Sequence, residues 1–161
     1  MMRAVVITVS DRSARGEQED ESGPALVALL KEMGAEIVAA EVMQDDLEPL
    51  SLRLRTFAER ADVNLIVTTG GTGFSPRDNT PEATRAVIER EAPGLAEAMR
   101  LETFKQTPTA LLSRGVCGLR SGTLIINLPG SPRGVRESFL VIKPVLPHAV
   151  ALLAGKSHAE A

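Results

Sequence analysis

Short β-branched runs alternate with amphipathic segments, and this alternation constrains the chain more than any other feature. Ala4-Val5-Val6-Ile7-Thr8-Val9 is closed by Ser10-Asp11 and reads as a strand buried on both faces. Beyond the polar segment Arg12 to Glu21, Ser22-Gly23-Pro24 opens a helix, because the missing N–H of a proline has no intrahelical partner in the first turn. Leu26, Leu29, Leu30 and Met33 give that helix one apolar face, and Gly34 stands where a left-handed C-terminal residue is wanted. Ile37 to Val42 predicts a second strand, Asp45 or Asp46 the N-cap of a helix reaching Arg60, and Val63 to Thr69 a third strand. A βαβαβ order of this kind predicts a parallel sheet with right-handed crossovers. The expected fold is α/β: three layers, with a doubly wound, mostly parallel sheet carrying helices on both faces.

After the glycines at 70, 71 and 73, Thr80-Pro81-Glu82 opens another helix, which Pro93-Gly94 breaks or bends before Leu95 to Phe104. Thr123 to Leu128 is the last clear strand. Pro129-Gly130-Ser131-Pro132 ends it and caps a long closing helix that Pro144 and Pro147 interrupt. The 161 residues show no repeat and no linker, so one domain spanning 1–161 is expected.

Composition removes several function classes. The aromatic residues are all phenylalanine, the net charge is −3, and there is no basic run, so both the stacking platforms and the electrostatic footprint of a nucleic-acid binder are missing. No apolar stretch approaches the ~20 residues of a membrane span, and Ala4 to Val9 is too short for a secretory segment. Cys117 is the only cysteine, which excludes an internal disulfide and any cysteine-clustered zinc site. A cytoplasmic protein without membrane or nucleic-acid partners is expected.

Ligands of open α/β sheets bind beyond the carboxyl ends of the strands, and here every polar or glycine-rich cluster falls at such an end. These are Ser10-Asp11, Asp45-Asp46, Gly70 to Asp78, and Gly130-Ser131. In Thr68-Thr69-Gly70-Gly71-Thr72-Gly73, residues without Cβ can turn successive N–H groups toward an anion. The segment matches neither the dinucleotide fingerprint nor a P-loop, and a tight strand-to-helix turn accounts for glycines alone equally well. Asp45 and Asp78 each precede a helix and could be plain caps, with Asp46 competing for the first. On a common rim, however, two carboxylates beside an anion-binding loop suit Mg²⁺, which takes one or two carboxylates and leaves its other positions to water and phosphate. Ser131 before Pro132 reads as a cap, or with Gly130 as a second anion contact. Ser113 has no histidine near it in sequence, and the only histidines, His148 and His158, lie toward the C-terminus, so a Ser-His-Asp nucleophile is not supported.

Taken together, Val9-Ser10-Asp11-Arg12, Asp20-x-Ser22-Gly23-Pro24, Thr68 to Phe74, Pro76-Arg77-Asp78-x-Thr80-Pro81-Glu82-Ala83-Thr84, Pro93-Gly94-Leu95, Leu112-Ser113-Arg114 and Asn127 to Pro132 are a specific set. The chain resembles, over nearly its whole length, the molybdopterin adenylyltransferases of the Mog type, the family that includes the G domains of the plant cofactor-biosynthesis protein and of gephyrin. The related MoaB-type proteins share the glycine loop, while the Pro-Arg-Asp-x-Thr-Pro stretch favours Mog; Asn79 stands where that family often has valine. The resemblance implies Asp45 and Asp78 as catalytic and metal-binding aspartates. It implies Ser10, Asp11, Gly70, Gly71, Thr72, Gly73, Thr80, Ser113, Gly130 and Ser131 as substrate contacts, Ser113 on the pterin side. It further implies ATP and molybdopterin as substrates with Mg²⁺, a homotrimer, and a molybdate-inserting enzyme as a candidate partner. The chemistry expected is attack of the terminal phosphate of molybdopterin on the α-phosphorus of ATP, with release of pyrophosphate and no covalent enzyme intermediate. The competing expectation is a non-catalytic pterin-binding or scaffold module of the same fold, which would need the glycine rim but not two metal-competent carboxylates.

Overall fold

The computed structural model describes residues 1–160; residue 161, the last of the expected 1–161 domain, lies outside the described residues. The strands are β1 (Arg3–Val9), β2 (Glu36–Met43), β3 (Leu65–Thr69), β4 (Arg90–Glu91), β5 (Cys117–Arg120) and β6 (Thr123–Leu128). They form one sheet in the order β2-β1-β3-β6-β5-β4. β1 pairs in parallel with β2 and β3, and β3 with β6, whereas β5 and β4 join as antiparallel strands.

The helices are α1 (Asp11–Ala14), α2 (Ser22–Glu32), α3 (Leu47–Ala58), α4 (Thr80–Arg85), α5 (Pro93–Phe104), α6 (Pro132–Ile142) and α7 (Leu146–Leu153). Because successive side chains of a strand point to opposite faces, β1 feeds two cores. Ala4 and Val6 meet Leu26 and Leu30 of α2, Met99 of α5, Phe139 of α6 and Leu146 of α7. Val5, Ile7 and Val9 meet Leu50, Leu54 and Phe57 of α3 and Ala83 of α4. Full burial of a side chain such as Phe57 or Phe139 contributes about 1.5–3 kcal/mol. The expected three-layer architecture is thus the one observed.

Three local readings change. β4 and β5 are short and lack an apolar alternation, so no pattern in the sequence marks them. The helix opened by Thr80 stops at Arg85 and does not bend at Pro93; β4 intervenes, and Pro93 instead begins α5 in the first turn, on the other face of the sheet. The polar segment after Ser10 contains α1, capped by Ser10 Oγ, which accepts from Ser13 N at 3.2 Å. Pro144 and Pro147 interrupt the closing helix as expected, leaving a 3-10 turn at Lys143–Val145 between α6 and α7.

Candidate functional site

The sheet order reverses direction around β1 and β3, and the chain leaves the carboxyl ends of these strands into Ser10 and Gly70. Gly70 and Gly71 have φ of 100° and 67°, the left-handed region that glycine occupies without strain. Their necessity comes from the scaffold itself. A Cβ on Gly70 would lie 2.3 Å from the Val9 carbonyl, and one on Gly71 would lie 2.3 Å from Thr80 Oγ1 and 2.4 Å from Asp45 Oδ2. The turn is therefore tight against β1 and the carboxylate beneath it. Thr80, expected at the substrate, is fully buried under the loop, where its hydroxyl donates to the Gly70 carbonyl at 2.9 Å. It braces the loop, and its hydroxyl proton is already used.

Asp45 and Asp78 both lie against this turn, Asp45 at Gly71 and Asp78 at Gly73. Asp45 is 4% exposed; its Oδ1 accepts from Asn79 N at 2.9 Å, and Oδ2 lies beside Gly71. Burial pushes its carboxyl up to about 6; the Asn79 N–H opposes the rise, and the charges of Asp78 and Asp11 add to it. Asp78 does not cap α4. Its Oδ2 accepts from Ser75 N at 3.0 Å and lies near Gly73. Asp46 takes the N-cap position of α3 without a side-chain capping bond and turns instead to Arg77, 3.1 Å away. Asp11 is also engaged: Oδ1 accepts from Asp45 N at 2.9 Å, and both oxygens meet the Arg77 guanidinium, which holds the carboxyl below its usual range. Of Asp11, Asp45, Asp46 and Asp78, the carboxylates of Asp45 and Asp78 are the two that accept no hydrogen bond from a cationic side chain.

Two cavities share the wall made by Gly71, Asp78 and Gly130. One, of about 340 Å³, lies between the glycine turn, α5, the 3-10 turn Pro108–Leu112 and α6, and is lined by Thr72, Gly73, Ser113 and Ser131. The other, of about 440 Å³, is lined by Ser10, Asp11, Asp45, Gly70 and Arg77. Ser113 Oγ accepts from Gly115 N at 3.2 Å, and Ser131 Oγ caps α6 by accepting from Gly134 N at 2.9 Å. Each serine still has its hydroxyl proton to donate. Among the described residues no group of three or more His, Cys, Asp or Glu side chains is arranged to hold a metal unaided.

A family profile described as "Probable molybdopterin binding domain" matches residues 5–148. The chain belongs to that family. The Molybdopterin adenylyltransferase of Helicobacter pylori (strain J99) is 40% identical over 152 residues, which are 93% of this chain and 86% of that protein. The Drosophila melanogaster protein named Molybdenum cofactor synthesis protein cinnamon is 45% identical over 96% of this chain, but the chain spans only 27% of that protein's length. The solved structure of the molybdopterin biosynthesis enzyme MoaB from Thermus thermophilus is 50% identical, covers 97% of this chain and 98% of its own, and superposes with a TM-score of 0.91.

Three residues of this molybdopterin-binding-domain protein are prominent at the site, lie within the motifs that carry the resemblance, and were yet given no role by the sequence reading. Arg114 straps the glycine turn: its backbone N–H donates to the Thr72 carbonyl at 2.8 Å, Nε to Gly73 at 2.8 Å and Nη2 to Asp78 at 3.0 Å, and it pairs with Glu82. Asn127 is buried and fully engaged, donating to Thr68 Oγ1 at 3.0 Å and Thr84 Oγ1 at 2.9 Å while accepting from Val116 N at 3.0 Å. Arg77 closes over Asp11 and Asp46. Their places in those motifs, the charge at 77 and 114, and a polar residue inside a buried strand at 127 are the signals that could have flagged them.

Proposed function

We propose that this chain is a molybdopterin adenylyltransferase, a nucleotidyltransferase acting on molybdopterin and ATP as a single domain in the cytoplasm. One observation carries the reading: two cavities meet at a wall made by Gly71, Gly130 and Asp78, with Asp45 lining the Ser10 side, so two phosphorylated substrates can be brought together there. Molybdopterin occupies the cavity lined by Ser113 and Ser131, and the nucleotide the more polar one lined by Ser10. A phosphate oxygen of molybdopterin attacks the α-phosphorus of ATP, forming a new P–O bond as the bond to the β-phosphate oxygen breaks and pyrophosphate leaves.

The protein's part is positioning and charge neutralisation rather than covalent chemistry. N–H groups of Gly71, Thr72, Gly73 and Gly130 face the phosphates, while that of Gly70 holds the turn to the Leu128 carbonyl at 3.1 Å; Thr72 lines the pterin side, and Thr80 and Asp11 fix the loop and Asp45 from behind. Asp45 and Asp78 would hold Mg²⁺; two hard carboxylate oxygens without cationic partners are a donor set that suits this ion once phosphates complete it. When bound, the ion supplies neutralisation of the phosphate charge. A nearby dication also favours the ionised form of Asp45, offsetting its burial.

Incubation of the protein with molybdopterin, ATP and Mg²⁺ should yield adenylylated molybdopterin and pyrophosphate in equal amounts. Binding of the pterin without product would leave the scaffold reading. The homotrimer, and transfer of product to a molybdate-inserting enzyme, belong to the same proposal; sedimentation equilibrium tests the first, and co-purification with such an enzyme the second.

A further inference from the structure

The cavity on the Ser113 side has walls of Ala96, Met99, Ala110 and Leu112, and at its α6 side a carboxylate that adenylyl transfer does not use. This is Glu137, whose side chain is 18% exposed. Along α6 the residues Ser131, Gly134, Glu137 and Ser138 fall on one face at helical spacing and line the cavity. Gly134 has no side chain to obstruct it. A rise of ~1.5 Å per residue sets Glu137 about 9 Å along the axis from Ser131, comparable with the long axis of a fused pterin ring. The α6 N-terminus and glycine turn thus mark one end of a cavity with an apolar wall, and Glu137 the other.

Glu137 is anchored: Oε1 accepts from Arg133 Nε at 2.7 Å and Oε2 from Thr107 Oγ1 at 3.3 Å. An ionised carboxylate has about four lone-pair sites, so each oxygen keeps acceptor capacity after these bonds. The pyrimidine edge of a pterin presents its ring N3–H and 2-amino group side by side. Two parallel donors match the two oxygens of one carboxylate, as in bidentate arginine–carboxylate pairs. We propose that Glu137 is the specificity-determining residue for the pterin, accepting hydrogen bonds from the N3–H and 2-amino group while the phosphate end of the substrate lies at the glycine turn. The proposal rests on the adenylyltransferase reading for the identity of the ligand, though not for the reaction.

Steady-state kinetics of wild type, Glu137→Gln and Arg133→Ala test it. Replacing one oxygen by an amide donor sets it against a pterin donor, so Glu137→Gln should raise KM for molybdopterin roughly 10- to 100-fold. Its KM for ATP and its kcat at saturating pterin should stay close to wild type, and its melting temperature should be unchanged. Arg133→Ala removes only the outer partner and should match wild type in both KM values. A molybdopterin KM that Glu137→Gln leaves within about twofold of wild type, or a rise shared equally by ATP, overturns the proposal. If the wild type transfers no adenylyl group, calorimetric titration with molybdopterin alone still decides. Tighter binding to wild type than to Glu137→Gln supports the assignment although the reaction fails, and equal affinity, or no binding to wild type, ends it.

Discussion

Asp45 owes its role in the site and a stability penalty to the same burial. Its carboxyl has an ordinary value of 3.8 and is pushed up to about 6 in the folded chain. Between those values the folded state binds more protons than the unfolded one, so stability falls as pH rises through the window, and the loss persists above it. The shift corresponds to at most about 3 kcal/mol at neutral pH. Asp45→Asn keeps an acceptor for Asn79 N and removes the charge; its midpoint should rise by several degrees at pH 7.5, the gain vanishing in acid, while adenylyl transfer is lost. A lower midpoint at pH 7.5 would show that the carboxylate stabilises the fold. Asp78→Asn keeps the bond from Ser75 N, so it should melt within about 1 kcal/mol of wild type yet lose at least about 100-fold in turnover. An active, folded Asp78→Asn removes Asp78 from the chemistry. Which acidic residues lie at strand ends was legible in the sequence. That Asp46 faces Arg77 while its neighbour points inward was not, because adjacent residues at a helix start differ only in backbone direction.

Elements with a strong period were legible and short ones were not. β1, β3 and β6 announce themselves as β-branched runs, and α2 and α3 as apolar stripes, whereas the two residues of β4 exist as a strand only because β5 lies beside them. The glycine turn was visible as composition, but the reason it needs glycine is tertiary: Val9, Asp45 and Thr80 already fill the space a Cβ would take. A similar limit hid Arg114, whose bonds to Gly73, Asp78 and Glu82 span more than thirty residues of chain. That strap holds the turn to the start of α4. Arg114→Ala should cost about 1–3 kcal/mol by leaving the Gly73 and Asp78 carbonyls without their donor. Its signature should be local, with faster amide exchange from Gly73 to Asp78 and unchanged protection in β1 and β3. Uniform loss of protection would mean that Arg114 supports the whole fold rather than the turn.

At the scale of the molecule, the decisive arrangement is two cavities separated by one shared wall, with no activated nucleophile in either. Cys117 is buried, its thiol pushed up to about 12 by desolvation. His148 and His158 hydrogen-bond to each other at 3.1 Å, outside both cavities, and the backbone N–H of Gly115 is the only hydrogen-bond partner of the Ser113 hydroxyl among the described residues. Neither imidazole stands ready to take a proton from that serine, so nothing favours its attack on ATP. The adenylyl transfer we propose would then pass directly between two substrates bound together, and initial-velocity plots against molybdopterin and ATP should intersect rather than run parallel. Ser113→Ala should weaken molybdopterin binding by about 0.5–1.5 kcal/mol, or up to about 3 against a charged partner, leave ATP binding nearly unchanged and retain turnover at saturating pterin. Incubation with ATP labelled at the α-phosphate, without pterin, should leave the protein unlabelled. Parallel plots together with a labelled protein that the alanine variant fails to form would assign Ser113 a covalent role, and the shared wall would then be a relay between two half-reactions instead of a meeting point for two substrates.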